Sequence, residues 1–217
     1  MKKTVCLLIL CIQFVTTYSQ IKAIEVSHYI FPEFTKGIIL MKAGMKSETL
    51  LNYNTVTEEM VFDKNGKKLA IGNDEIELID TIYIKDKKFV VVNKKFMEVA
   101  LLSKFNLYAE HRCEVTAPVK QAAYGGEATT SATVSVSSLS TNGQIYELQL
   151  PDGYKAKPYI IYWLFKDGQM SKFNSIKQLN KMFPEKKDIL KAYQKSNEVD
   201  YKNRESIINL IKYIESN

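Results

Sequence analysis

Apolar and polar residues alternate with a period of two from about residue 36 to residue 116, and turn-forming residues separate the runs. Such alternation is typical of strands with one buried face, and short turns between strands favour an antiparallel sheet. The sharpest signal is EEMVFDKNGKKLAIG (58–72), in which an Asn65-Gly66 turn predicts a hairpin. KGIILMKAGMKSETLLNYN (36–54) predicts two strands around Gly44. IDTIYIKDKKFVVVN (79–93) predicts two more around a KDKK turn, and FMEVALL (96–102) predicts another.

The cleanest alternation is FNLYAEHRCEVT (105–116). It predicts a strand with a buried side that carries Phe105, Leu107, Ala109, His111, Cys113 and Val115. Further on, QIYELQLP (144–151) and YIIYWLFKDGQM (159–170) each read as a strand. The second is apolar on both sides. It is therefore either a central strand that other elements cover on both sides, or partly a binding surface.

The period then becomes helical. Ser175 and Gln178 form a capping-box pattern ahead of Ile176, Leu179, Met182 and Phe183. Pro184 suits the first turn of a second helix, PEKKDILKAYQKSN (184–197), with an apolar side of Ile189, Ala192 and Tyr193. Asn203 predicts the cap of a third helix that carries Ile207, Leu210, Ile211 and Ile214.

These patterns predict an α+β fold: a mainly antiparallel β meander, barrel-like and small, followed by a C-terminal helical unit. We expect a β-rich body at 20–118, more strands of that body at 145–173, and basic helices at 174–217. Between them, residues 119–144 form a Gly/Ser/Thr-rich stretch that includes AAYGGEATTSATVSVSSLS (122–140). It lacks the lysine and the strand-to-helix context of a phosphate loop, so we expect a long excursion that is either disordered or a lid.

The N-terminus predicts export. Lys2 and Lys3 precede the apolar run VCLLILCIQFV (5–15), and small residues at Thr17 and Ser19 suit cleavage before Gln20. A lipid anchor at Cys11 is the alternative. Residues 1–19 are therefore expected to be a signal peptide, and the mature chain to be periplasmic or extracellular without a transmembrane segment. Its one remaining cysteine, Cys113, cannot form an intrachain disulfide and is expected to be buried.

The net charge of +6 is unevenly distributed. Residues 151–217 contain thirteen basic and eight acidic residues, whereas residues 20–150 are nearly neutral. A solvated helical surface explains most of this excess, and contact with an anionic lipid or polymer is the alternative.

Catalytic side chains are scarce. His111 and Cys113 lie on one side of a strand, so they are weak candidates for a metal site, which would need further ligands. Among carboxylates, Asp74 and Asp80 are expected on one strand side and Glu75 and Glu77 on the other. Glu58 and Glu59 are expected to be strand neighbours that point apart. No nucleophile-elbow, phosphate-loop, HExxH or CxxC motif is present in the sequence.

Aromatic and basic residues are interleaved near the second late strand. Rings there could stack on a ligand while lysines bind its polar groups. The candidate binding residues are Tyr159, Tyr162, Trp163, Phe165, Lys155 and Lys157. Core packing of the rings is the alternative.

Four segments resemble a group of exported bacterial proteins of unknown function. They are LLNYNTVTEEMVFDKNGKKLAI, IDTIYIKDKKFVVV, AAYGG and KQLNKMFPEKKDILKAY. The resemblance spans nearly the whole mature chain and implies a recurrent architecture, but it implies no activity.

The sequence therefore favours an exported non-enzymatic binding or scaffolding protein of the cell envelope, with a protein or carbohydrate partner and without a cofactor. Nucleic acid is not expected as a partner of an exported protein. One alternative is a periplasmic hydrolase in which Glu58, Glu59, Asp74 or Asp80 meets Glu110 or Glu114 across the sheet. The other is an envelope-surface protein that binds anionic lipid or polymer through its C-terminal helices.

Overall fold

The computed structural model describes residues 28–118, 150 and 153–217. The expected signal peptide at 1–19 and the expected excursion at 119–144 lie outside the described residues, as does the strand expected at 144–151 apart from Leu150. Within the described ranges, no helix is long and apolar enough to cross a membrane.

The described part of the chain contains ten strands, which form a single antiparallel sheet in the order β10-β9-β8-β7-β6-β5-β1-β2-β3-β4. β3 contacts β7 although four strands separate them in this order, so the sheet curls as the barrel-like prediction required. The mainly antiparallel α+β fold is thereby confirmed. The strands are β1 (Thr35–Met41), β2 (Lys46–Asn54), β3 (Glu59–Lys64), β4 (Lys67–Ala70), β5 (Ile79–Ile84), β6 (Lys87–Val92), β7 (Lys95–Leu101), β8 (Asn106–Thr116), β9 (Lys155–Lys166) and β10 (Gln169–Phe173).

Two-residue turns with positive φ close several hairpins. Asn65-Gly66 joins β3 to β4, with φ of 57° and 83°, as predicted. Asp167-Gly168 has the same geometry, with φ of 50° and 76°. Both fit a type I′ turn, whose twist matches that of the strands. The expectation of one strand at 159–170 was therefore wrong: the Asp-Gly pair divides the segment between β9 and β10.

A helical turn interrupts the predicted strand at 73–80. It is α1 (Asn73–Ile76), which places Asp74 and Glu75 in a helix instead of on opposite sides of a strand. Ile76 is 7% exposed and belongs to the core, so burial of this side chain favours the turn. The predicted arrangement of Asp74, Glu75, Glu77 and Asp80 was wrong, because β5 begins only at Ile79.

The C-terminal helices are α2 (Ile176–Met182), α3 (Lys187–Ser196) and α4 (Arg204–Ser216), with a 3₁₀ turn at Pro184–Lys186. The cap of α4 is confirmed, since the Asn203 side chain accepts hydrogen bonds from the backbone of Glu205 and Ser206.

Two helix details differ from the predictions. Ser175 precedes α2 but makes no side-chain capping bond, while Gln178 Oε1 accepts from the Asn174 backbone at 2.8 Å. In α3 the fully buried residue is Leu190, and Ala192 is exposed.

Two large hydrophobic clusters fill most of the interior that the described residues form, and a small third cluster contains Val56 and Val115. The first lies within the curl of the sheet and includes Tyr53, Met60 and Phe89. The second lies where the three helices pack on the β7–β10 part of the sheet and includes Tyr162 and Ile211. The helices therefore share their core with the sheet.

We expect Phe183→Ala to destabilise sheet and helices together. Phe183 is fully buried, and its ring centroid lies 5.1 Å from that of Phe105, so truncation should lower the free energy of unfolding by about 3–5 kcal/mol. Chemical denaturation followed by far-UV circular dichroism and by tryptophan fluorescence should show one shared transition. Met45→Ala, at a 65% exposed position, is the control. A separate early helical transition would contradict the shared core.

Candidate functional site

Strand β9 has two sides with different environments. Tyr162 and Leu164 are buried against the helices, so the residues that alternate with them lie on the opposite side of the sheet. On that outer side, Tyr159 and Phe165 remain 41% and 38% exposed. We call the outer side of β8–β10 the aromatic face. It carries Tyr108, Tyr159, Ile161, Trp163 and Phe165.

Tyr162 does not belong to the aromatic face. Its ring stacks on Phe173 at a centroid distance of 5.7 Å, and its side chain is fully buried in the helix–sheet core. Its inclusion among the binding candidates was therefore wrong. The strand alternation had placed it opposite Trp163, but it could not show which side the helices cover.

The predicted lysines lie at the start of β9. Lys155 pairs in register with Thr116, and Lys157 pairs with Glu114. Both lysines are exposed, and both alternate onto the side that carries Tyr159. Lys155 and Lys157, which the sequence had identified, therefore make one end of the aromatic face basic.

A buried carboxylate fixes the indole of Trp163. The Trp163 Nε1–H group donates to Glu110 Oε2 at 2.7 Å, from the neighbouring strand. Since Trp163 pairs with Tyr108 and not with Glu110, the indole must extend from β9 across β8. Lys172 belongs to β10, the strand on the other side of β9, and its Nζ atom lies 6.0 Å from the Trp163 ring centroid. The ring is therefore held along the surface of the sheet.

Glu110 is only 2% exposed, although the alternation of β8 had placed it on the polar side. Its Oε1 atom accepts from Arg112 Nε at 2.9 Å and from Arg112 Nη2 at 2.7 Å. Lys95 Nζ is 3.4 Å from the same oxygen. Alternation along β8 carried no signal of this burial, because Trp163 and Lys95 come from other strands.

Glu58 joins this network from outside the strands. Its φ of 59° places it in the turn before β3, so the expected strand pair of Glu58 and Glu59 was wrong. Glu58 contacts Lys95 Nζ at 2.5 Å and Arg112 Nε at 3.5 Å. Glu58 and Glu110 therefore converge, but two cations lie between them.

The same network determines the charge of Glu110. Burial alone would raise its pKa, but the hydrogen bonds from Trp163 and Arg112 and the charges of Arg112 and Lys95 outweigh burial and lower the pKa. Glu110 is thus held ionised at neutral pH and does not store a proton for a general acid.

A second buried carboxylate lies on the helix side of the sheet. Glu98 has no exposed side-chain surface and contacts Lys87 Nζ at 2.9 Å and His111 Nε2 at 2.7 Å. Arg204 Nε lies 2.8 Å from Glu98 Oε1, in an orientation outside hydrogen-bonding geometry, so this contact is an ion pair only. Burial opposes ionisation of Glu98, but the contacts with His111 and Lys87 lower its pKa to about 2.

This cluster explains His111 without a metal ion. His111 is directed at Glu98, whereas Cys113 is half-buried near Val56 and Val115. Cys113 was expected to be buried; the structure leaves it partly accessible, and burial still raises its thiol pKa. Across the described residues, no group of three or more His, Cys, Asp or Glu side chains could hold a metal ion.

An open recess of about 470 Å³ continues the outer side of the sheet towards β5 and β6. Its lining includes Val90, Val92, Val99 and Tyr108, so it adjoins the aromatic face through Tyr108. Lys42, Asp80 and Lys88 also line this recess, so the outer side of the sheet is mixed apolar and charged there.

Comparison with known proteins found no matching family model, no matching curated protein and no matching solved structure. The candidate site therefore depends on its own geometry.

The Glu98 cluster should make stability depend on acid pH. Because the folded pKa of Glu98 lies near 2, below its ordinary value of 4.5, the ionised form stabilises the fold above pH 4.5, and this stabilisation is lost as the pH falls towards 2. The effect should amount to about 3 kcal/mol. Unfolding free energies measured from pH 7 to pH 2 should show this loss in the wild type and much less of it in Glu98→Gln. Glu48→Gln, at an exposed position, should retain the wild-type slope.

The Trp163–Glu110 bond has a direct spectroscopic signature, because Trp163 is the only tryptophan. Its indole N–H resonance should be shifted downfield by the charged acceptor and should stay constant until the pH falls below the ordinary carboxyl range. Glu110→Ala should move the resonance upfield in a ¹H–¹⁵N spectrum. Glu114→Ala removes an exposed carboxylate from the same side of β8 and should leave it in place. An unchanged resonance in Glu110→Ala would disprove the bond.

Proposed function

We propose that the protein is an exported, non-enzymatic binding or scaffolding module of the bacterial cell envelope and that the aromatic face is its recognition surface. The observation that carries this proposal is the contrast along β9: Tyr162 and Leu164 are buried by helices, while Tyr159 and Phe165 stay exposed beside an anchored Trp163. A ring held in one position favours binding, since little side-chain entropy is lost when a ligand covers it, and the hydrogen bond to Glu110 holds Trp163 in this way.

The charge network supports binding over catalysis. Acid–base hydrolysis by two carboxylates needs one of them protonated near neutral pH. Glu110 instead has a lowered pKa and accepts bonds from Trp163 and Arg112. Its role is to position the indole.

A carboxylate hydrolase is the second candidate, because Glu58 and Glu110 both contact Lys95. It ranks lower because Lys95 and Arg112 contact both carboxylates, and because the hydrogen bonds and charges around Glu110 lower the pKa of that carboxylate. Hydrolysis of a glycan that is lost in both Glu58→Gln and Glu110→Gln, with the fold intact, would promote this candidate.

The proposal predicts that envelope material binds at the aromatic face. The mature chain should co-sediment with purified peptidoglycan sacculi or outer-membrane vesicles, and Tyr159→Ser or Phe165→Ser should weaken binding roughly three- to tenfold by removing a stacking ring. Leu78→Ser is the matched control, since Leu78 is 58% exposed and lies outside the aromatic face.

Fluorescence gives a second readout of the same experiment. Bound envelope material should protect Trp163 from quenching by acrylamide, because the only tryptophan lies within the aromatic face. Binding that survives both ring substitutions but is lost on neutralising lysines of α3 would instead identify the helices as the contact surface.

A further inference from the structure

The carboxylates and the lysines around the aromatic face differ in whether they are already paired within the protein. Both carboxylates at its centre are already engaged. Glu110 accepts from Trp163, Arg112 and Lys95, and Glu58 contacts Lys95 and Arg112. Their oxygens are thus committed within the protein and do not serve ligand hydroxyl groups.

The lysines around the face are placed differently. Lys172 pairs in register with Trp163 and carries its ammonium over the indole ring. Lys155 and Lys157 are exposed at the other end of β9, and Glu114 is the carboxylate opposite Lys157. The accessible polar groups along the rings are therefore mainly cationic donors, which complement a ligand rich in anionic acceptors.

The shape of the face limits the ligand further. Tyr159 and Phe165 are six residues apart along one strand, roughly 20 Å at about 3.3 Å per residue. Trp163 lies between them, so the rings form a row and not a closed pocket. A row of this length suits a chain of several units, because a single small molecule could not cover it.

Beside Trp163 and Phe165, the backbone favours a glycan over a peptide. Between Tyr162 and Phe165, β9 is paired with β8 on one side and with β10 on the other. Its N–H and C=O groups are used within the sheet, so an extended peptide could not add as a strand there. A pyranose ring, in contrast, presents an apolar C–H face to an aromatic ring and carries its charged substituents at the edge.

We propose that the aromatic face binds an acidic polysaccharide, a glycan chain bearing carboxylate, sulfate or phosphate groups. The sugar rings stack along Tyr159, Trp163 and Phe165, and the anionic substituents pair with Lys172, Lys155 and Lys157. This inference rests on the proposed function, because it assigns a ligand class to the same surface.

The test uses matched pairs of polymers with the full mature chain. Polygalacturonate is compared with its methyl ester, and dextran sulfate with dextran, by calorimetry and by Trp163 emission. Each acidic member should bind in low salt and weaken as salt is added, because exposed charges are screened. Its neutral partner should bind at least tenfold more weakly. Poly-L-glutamate carries the same charge on a peptide chain and should also bind more weakly than the acidic glycans.

Substitutions locate the binding. Lys172→Gln and Lys157→Gln should each weaken binding of the acidic glycan about two- to fivefold, the range of an exposed ion pair. Lys64→Gln, an exposed lysine in the β3–β4 hairpin, should leave it unchanged. Phe165→Ser should reduce the binding of the acidic glycan and the weaker binding of its neutral counterpart by the same factor.

Several outcomes would overturn the inference. Equal binding of a neutral partner would refute the anionic preference while supporting the proposed recognition surface. Equal or tighter binding of poly-L-glutamate would identify an acidic polypeptide as the ligand class. Lack of binding to either acidic glycan would reject the inference, and co-sedimentation with envelope material would then decide the proposed function separately. Equal effects of Lys172→Gln and Lys64→Gln would refute the assigned position.

Discussion

The buried carboxylate of Glu98 is the interaction on which the rest of the structure depends. Along β7 it lies between Phe96, which belongs to the core within the curled sheet, and Ala100, which belongs to the core under the helices. A bare charge there would be strongly destabilising, so it requires compensation. Lys87 from β6, His111 from β8 and Arg204 from α4 provide it. Removing any one of them leaves the buried charge incompletely compensated.

Arg204 connects this charge to the helices. It is the first residue of α4, and besides the ion pair with Glu98 its Nη2 donates to the Ala100 carbonyl at 3.3 Å. These two contacts connect the first turn of α4 to β7. Ile211 and the other buried residues of that helix then pack on the side of β9 that carries Tyr162. The opposite side of the same strand carries the exposed rings of Tyr159 and Phe165.

The two buried glutamates lie on opposite sides of the sheet and have different consequences. Glu98 joins strands and a helix in the interior, whereas Glu110 holds a partly exposed indole in one orientation. Both have lowered pKa values because cations and hydrogen bonds outweigh the effect of burial. Ionised, fully paired carboxylates fit a structural and positioning role, which is the physical basis for preferring binding to hydrolysis here.

Local chemistry in the sequence determined most of the strands, the Asn65-Gly66 hairpin, the cap at Asn203 and the α+β class, because alternation, turn conformation and capping depend on near neighbours. It also identified Tyr159, Trp163, Phe165, Lys155 and Lys157 as one interleaved segment. Only the tertiary structure decided which side of β9 the helices cover, and so that Tyr162 is core while Tyr159 is surface. It alone brought Lys95 and Glu58 to Glu110, and Arg204 to Glu98, since these partners are 15 to 106 residues apart and meet only when distant strands and a helix come together.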